Sequence, residues 1–71
     1  MKSLICGYGE IGKSLFNVLK DHYRIGWKDQ EDEHDVSDCV EILHICFPFS
    51  DQFEAEVRKY QEQYKPKYTV V

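Results

Sequence analysis

The sequence contains no run of basic residues. Its 13 acidic side chains outnumber 9 basic ones, which gives a formal net charge of −4 at pH 7. A negatively charged chain repels polyanions, and no stripe of lysine or arginine interrupts the acidic balance. We therefore expect neither nucleic acid nor an anionic membrane surface as a partner.

Long apolar runs and paired cysteine motifs are also missing. No stretch approaches the roughly 20 apolar residues of a membrane-spanning helix, and the first residues lack the layout of a secretory signal. The 3 cysteines, Cys6, Cys39 and Cys46, show no C-x-x-C spacing, which is typical of free thiols in a reducing compartment. We predict a cytoplasmic protein without disulfides.

What is present is enough for one small folded domain over residues 1–71. The apolar fraction of 42% and the aromatic fraction of 14% are those of a globular chain. Apolar runs predict strands at Lys2 to Cys6, Tyr23 to Asp29, Val40 to Phe47 and Tyr68 to Val71. Helical periodicity predicts one helix from Glu10, with a stripe along one side at Ile11, Leu15, Val18, Leu19 and His22. It predicts a second helix that starts at a capping Ser50 or Asp51, with an apolar stripe at Phe53, Val57, Tyr60 and Tyr64. The acidic segment Gln30 to Asp38 is predicted to be a solvated linker.

This alternation of elements predicts an α/β fold of three layers. We expect a four-stranded parallel sheet in the order 2-1-3-4 with one helix on each face. Each helix would cover half of its face and both outer strands would be open edges. Homodimerisation, or docking against a missing downstream domain, would cover that surface.

The stretch "GYGEIG" has the spacing G-x-G-x-x-G between the first strand and the first helix. In this arrangement Gly7 permits a tight turn, Gly9 lets the backbone approach a pyrophosphate, and Gly12 lets helix and strand pack closely. The amides of Glu10 and Ile11 then lie at a helix N-terminus, which favours an anion. The alternative is a glycine-rich turn with a structural role alone.

Asp29 follows the motif by about 20 residues, at the end of the second strand. A carboxylate there can accept hydrogen bonds from the ribose hydroxyls of NAD and would repel the 2′-phosphate of NADP. Phe49, at the end of the third predicted strand, is the aromatic side chain best placed beside a bound ring. The pattern predicts a nicotinamide dinucleotide as ligand, with NAD favoured over NADP.

The segments "LICGYGEIGKSLFNVL", "WKD" and "EILHICFPFSDQF" resemble the N-terminal NAD-binding Rossmann domain of the 6-phosphogluconate dehydrogenase-like and UDP-glucose dehydrogenase-like superfamily. The resemblance covers nearly the whole chain. It implies that Gly7 to Gly12, including Tyr8, form the cofactor turn. It also implies that Cys46, Phe47 and Pro48 form the far wall of the pocket, and that Ser50 starts the next helix near the nicotinamide.

Two departures from the family limit what the resemblance implies. The helix and strand that normally follow the "WKD" position are replaced by the acidic segment, and the chain stops before the segments that carry catalytic residues in the family. No catalytic residue can be named. The chain is either the front piece of a longer oxidoreductase or a minimal nucleotide-binding module. The alternative function is a non-enzymatic, self-associating Rossmann-like module with weak or no nucleotide binding.

Other sites are less well supported by the pattern. His34, Cys39, His44 and Cys46 could supply zinc ligands, but they lack the paired spacing of structural zinc sites, so we predict no metal. Cys6 and Cys46 end neighbouring predicted strands and could form a redox pair, although buried structural cysteines are commoner. The acidic segment lacks the order of a calcium loop.

Overall fold

The computed structural model describes residues 2–30, 32–36 and 40–71. The chain forms seven elements in this part of the sequence. They are β1 (Lys2–Cys6), α1 (Glu10–Leu19), β2 (Arg24–Asp29), β3 (Asp32–His34), β4 (Ile42–Ile45), α2 (Phe53–Tyr64) and β5 (Tyr68–Val70).

The strands form one five-stranded mixed sheet in the order β3-β2-β1-β4-β5. The pairs β1–β2, β1–β4 and β4–β5 are parallel, whereas β3 is antiparallel to β2. The prediction of a four-stranded, all-parallel sheet in the order 2-1-3-4 is therefore wrong. The acidic segment, predicted to be a linker, contributes a fifth strand.

The strand β3 cannot be predicted from the sequence, because all three of its side chains are exposed. It has no apolar alternation, and Asp and Glu have low strand propensity. Its strand conformation depends on backbone pairing with β2, in the register Asp29↔Asp32 and Trp27↔His34. The turn between them contains Gln30 in the left-handed region, with φ 48°.

After β3, residues 34–36 begin the crossover to β4 and lie against one face of the sheet. At Gly26, in the middle of β2, an added β-carbon would lie 2.3 Å from the carbonyl oxygen of Asp35. Asp35 also forms ion pairs with Lys2 (Nζ to Oδ2, 2.9 Å) and Arg24 (3.4 Å), the first residues of β1 and β2. The next residue, Val36, packs against the core. These contacts hold the crossover against the sheet.

The main core lies between α2 and the same face of the sheet. It is built from Leu4, Cys6, Leu43 and Ile45, which alternate along β1 and β4, together with Val40 and Tyr64. The predicted stripe of α2 is confirmed, since Phe53, Val57 and Tyr60 pack against this cluster. The helix begins later than predicted, at Phe53, and its N-cap residue Gln52 makes no side-chain capping bond. The Ser50 hydroxyl does accept a hydrogen bond from the Gln52 N–H, at 3.3 Å, in the turn just before the helix.

The helix α1 lies on the opposite face, where a β-carbon on Gly12 would be 3.4 Å from Cγ2 of Ile5. Its buried side differs from the predicted stripe, because Ile11 and Val18 are 73% and 65% exposed. The large apolar side chains of α1 that are half-buried are Leu15, Phe16 and Leu19. The described residues include no helix of the length and apolarity needed to cross a bilayer.

Candidate functional site

The glycine motif forms the turn between β1 and α1, and Gly7 has two structural reasons to be glycine. Its φ is +97°, in the left-handed region that side chains disfavour. An added β-carbon would also lie 2.6 Å from the backbone nitrogen of Phe47. The Gly7 N–H donates to the carbonyl of Lys28 at 2.8 Å. The turn is thereby joined to the ends of both neighbouring strands, β2 and β4.

At Gly12, close packing is the structural reason for glycine. This residue is buried in the first turn of α1, and an added β-carbon would lie 2.1 Å from the carbonyl oxygen of Gly7. The helix therefore rests directly on the turn that precedes it. This contact sets the position of the N-terminus of α1 relative to the end of β1.

Gly9 differs from the other two, because nothing within the described chain requires glycine there. Its backbone is ordinary extended structure, φ −77° and ψ −158°, and an added β-carbon would meet no atom within 4 Å. Gly9 is the N-cap residue of α1, and no side chain caps the helix. The first amides of a helix have no intrahelical partners and carry the positive end of its dipole. Gly9 therefore keeps the approach to these amides open.

A groove runs beside Gly9 across the carboxyl ends of β1, β2 and β4. It consists of two adjoining cavities of about 390 and 380 Å³. Both are lined by Gly7, Asp29, Phe47 and Pro48. The sheet order places β2 and β4 on opposite sides of β1 here, and this reversal is where open α/β sheets bind their ligands.

The two ends of the groove have different linings. One end follows the start of α1, and its further residues are Tyr8, Gly9, Glu10, Ile11 and Cys46. The other end lies beside α2, and its further residues are Lys28, Gln30, Ser50, Glu56 and Tyr60. The structure thus brings nine of the ten predicted site residues to the turn and groove, with Gly12 supporting the turn from behind.

Phe49 is the one predicted site residue that belongs neither to the glycine turn nor to the two cavities of the groove. Its side chain is 85% exposed, and its ring lies 5.0 Å from that of Phe53. Phe47, by contrast, turns its ring into the core against Phe53 and Tyr60. The structure therefore supplies the groove with Phe47 and Pro48 as its wall, and leaves Phe49 outside.

Tyr8 lines the groove but its ring is held against the sheet. It stacks on Trp27 with the ring centroids 4.0 Å apart and an interplanar angle of 9°. Phe16 contacts the same ring edge-on at 5.9 Å. These aromatic pairs stabilise the fold by more than the apolar area that they bury. They fix the course of the turn between its first two glycines.

Acidic side chains outnumber basic ones around the groove: Glu10, Asp29 and Glu56 against Lys28. Asp29 is the last residue of β2 and half-buried, with no ion-pair partner among the described residues. Burial raises the pKa of Tyr60, and nearby Cys6, Glu56 and Asp29 raise it further. The Tyr60 hydroxyl therefore stays protonated at neutral pH and can donate a hydrogen bond.

Glu56 and Tyr60 were missed by sequence analysis. Tyr60 belongs to the apolar stripe of α2, which predicts a place in the core, and Glu56 has the pattern of any solvated helix residue. Their place at the groove depends on how α2 packs against the sheet, which is a long-range relationship. The one local signal is the position of α2 directly after the "CFPFS" segment.

The thiols and histidines form no alternative reactive centre in the described residues. Burial raises the pKa of Cys6 to about 12 and also raises that of Cys46, so both remain protonated at neutral pH, and both are free thiols. Burial lowers the pKa of His44. Cys39, one of the four zinc-ligand candidates, lies outside the described residues. Within them, no group of three potential ligands could hold a metal ion.

Comparison of the chain with protein-family models, with curated proteins and with solved structures finds no match.

Proposed function

We propose that this chain is a dinucleotide-binding domain of an oxidoreductase and that it binds NAD in the groove at the carboxyl ends of β1, β2 and β4. The observation that carries the proposal is Gly9. Gly7 and Gly12 are explained by the fold, whereas Gly9 faces open space at the start of α1. A missing side chain in that place is useful to a ligand that needs contact with the backbone.

The residues of the groove suit the parts of a dinucleotide. The N–H groups at the start of α1 would bind the pyrophosphate, with Gly9 giving access to them. Asp29 would accept hydrogen bonds from ribose hydroxyls, and its charge would disfavour the 2′-phosphate of NADP. Phe47 and Pro48 would form the opposite wall.

The bound cofactor would supply the hydride chemistry, and the chain would bind and orient it. No residue of the groove is assigned a catalytic role. The substrate and the catalytic groups would come from another segment or subunit. The three cysteines without paired spacing favour the cytoplasm as the compartment.

A calorimetric titration with NAD and NADP tests the proposal. We expect saturable NAD binding at millimolar cofactor or below, and weaker binding of NADP. Asp29→Asn should weaken NAD binding about tenfold or more, because it removes a charge-assisted hydrogen bond. Asp32→Asn is the matched control, since Asp32 pairs with Asp29 in the sheet but does not line the groove.

Three results would contradict the proposal. The first is no NAD binding by the folded wild-type chain. The second is equal loss of affinity in the Asp29→Asn and Asp32→Asn variants, which would indicate a general effect of charge. The third is preference for NADP over NAD.

A second candidate is a non-enzymatic module that acts by self-association. The observation in its favour is apolar surface at one edge of the sheet, where Tyr68 and Val70 are 58% and 50% exposed. Self-association without NAD binding would support this second function and exclude the first.

A further inference from the structure

The two edges of the sheet differ in their capacity to pair with another strand. Within residues 2–30, 32–36 and 40–71, no strand pairs with the outer side of β3 or of β5. The β3 edge carries Asp32 and Glu33, both exposed, so self-pairing there would bring like charges together. The β5 edge, Tyr68–Val70, carries no charge. It is therefore the edge that can accept a second copy of the chain.

The backbone of β5 has groups available for such pairing. The N–H of Tyr68 donates to the carbonyl of Glu41 at 2.9 Å, on the side of β4. Successive residues of a strand direct their backbone groups to opposite sides, so the N–H and C=O of Thr69 point to the free edge. One residue with both groups directed outward can exchange two hydrogen bonds with the same residue of a second strand in an antiparallel pair.

We propose that two copies of this chain associate through β5, antiparallel, with Thr69 opposite Thr69 of the partner subunit. This register is self-complementary. Tyr68 and Val70 are two residues apart and share one face, so Tyr68 lies opposite the partner subunit's Val70, and the reverse pair is identical by symmetry. Aromatic and β-branched cross-strand pairs stabilise antiparallel strands, and both of these side chains are at least half exposed in the single chain.

The pairing gives a continuous sheet of ten strands, five from each copy. The grooves lie at the carboxyl ends of β1, β2 and β4, and none of their lining residues belongs to β5. Association through β5 therefore does not depend on NAD binding, and either proposal can fail without the other.

Sedimentation equilibrium of the 71-residue chain tests the proposal. We expect a concentration-dependent dimer of twice the 8.4 kDa of one chain. Thr69→Pro removes the outward N–H, which has no role in pairing with β4, and edge strands tolerate proline at such positions. It should weaken the dimer about fivefold to tenfold for each of the two hydrogen bonds lost.

Thr69→Ala is the matched control. It removes the side-chain hydrogen bond that Gln61 Nε2 donates to Thr69 Oγ1 at 3.1 Å but keeps the backbone N–H, so it should dimerise like the wild type. A wild-type chain that stays monomeric at every concentration would overturn the proposal. So would a dimer that Thr69→Pro, shown by circular dichroism to be folded, leaves unchanged.

Cysteine cross-linking tests the register even if the proline variant does not fold. In the proposed pair the two α-carbons of residue 69 are about 5.5 Å apart, within disulfide range. Mild oxidation of Thr69→Cys should give a covalent dimer. Lys67→Cys should not, because its two copies would lie about 14 Å apart along the strands. The wild-type chain with its own cysteines is the blank. Equal cross-linking of both variants, or of neither, would overturn the register.

Discussion

Gly12 and Gly7 are in direct backbone contact: a β-carbon on Gly12 would stand 2.1 Å from the carbonyl oxygen of Gly7. The first turn of α1 thus sits on the turn that leaves β1. Because Gly7 is in turn held against Phe47 and Lys28, the contact transmits the position of three parallel strands to the N-terminus of the helix.

The first prediction concerns this contact. Gly12→Ala should lower the free energy of unfolding by about 2 kcal/mol or more, because the new methyl group meets backbone that cannot rotate away. Urea denaturation measures the change. Gly9→Ala is the control, with an expected loss under about 1 kcal/mol, since its methyl group meets open space. Equal losses in the two variants would contradict the assignment of different roles.

The second prediction concerns the crossover between β3 and β4. Gly26→Ala would place a methyl group 2.3 Å from the carbonyl oxygen of Asp35 and 2.5 Å from that of His34. The crossover must then lift from the sheet, which should cost about 2 kcal/mol or more and expose Val36. Hydrogen exchange of residues 34–36 would increase. Unchanged exchange in this variant would show that the segment does not lie against Gly26.

The third prediction concerns Glu10, whose carboxylate lies in the first turn of α1 at the edge of the groove. Glu10→Gln should strengthen NAD binding several-fold, because it removes a like charge beside the proposed pyrophosphate position. It should also lower the free energy of unfolding by about 0.5 kcal/mol, since an acidic group stabilises a helix N-terminus. Weaker NAD binding in Glu10→Gln would place the pyrophosphate elsewhere.

The fourth prediction concerns pH. Burial raises the pKa of the Cys6 thiol from 9.0 to about 12. In the unfolded chain the thiol loses its proton near pH 9, whereas the folded chain keeps it. The free energy of unfolding therefore has its full value below pH 9 and falls as the pH rises toward 12.

The matched variant is Cys6→Ala, which lacks the titrating group. Its free energy of unfolding is expected to be lower at neutral pH, because a buried group is lost, but to fall less steeply between pH 9 and 11. Denaturation at a series of pH values gives both slopes. Identical slopes would show that the Cys6 thiol ionises equally in both states.

The regular elements with strong apolar patterns could be predicted from the sequence. The strands β1, β2, β4 and β5 and both helices lie close to the predicted positions. The strand β3 could not be predicted, because its three exposed side chains show no periodic pattern and it is held by backbone hydrogen bonding to β2. The same holds for Gly26, whose lack of a side chain is explained by the backbone of His34 and Asp35, eight and nine residues away in the sequence.

Some residues of the candidate site could likewise be predicted from the sequence, and others could not. The positions of Gly7 and Gly12 could be predicted from the G-x-G-x-x-G spacing, because a tight turn between a strand and a helix has local requirements. Asp29 could be predicted from its place at the end of the second strand. Tyr60 could not be assigned to the groove, because that depends on the packing of α2. Phe49 differs again: its position beside Pro48 predicts a place in the groove, whereas its ring contacts Phe53 and lines neither cavity of the groove.

The most direct measurement is the NAD affinity of Gly9→Ala beside its free energy of unfolding. We predict that NAD binds the wild-type chain, that Gly9→Ala weakens binding about tenfold or more, and that the free energy of unfolding of this variant changes by less than about 1 kcal/mol. This combination would assign Gly9 to the ligand. Wild-type affinity in Gly9→Ala, or no NAD binding by the wild-type chain at millimolar cofactor, would contradict it.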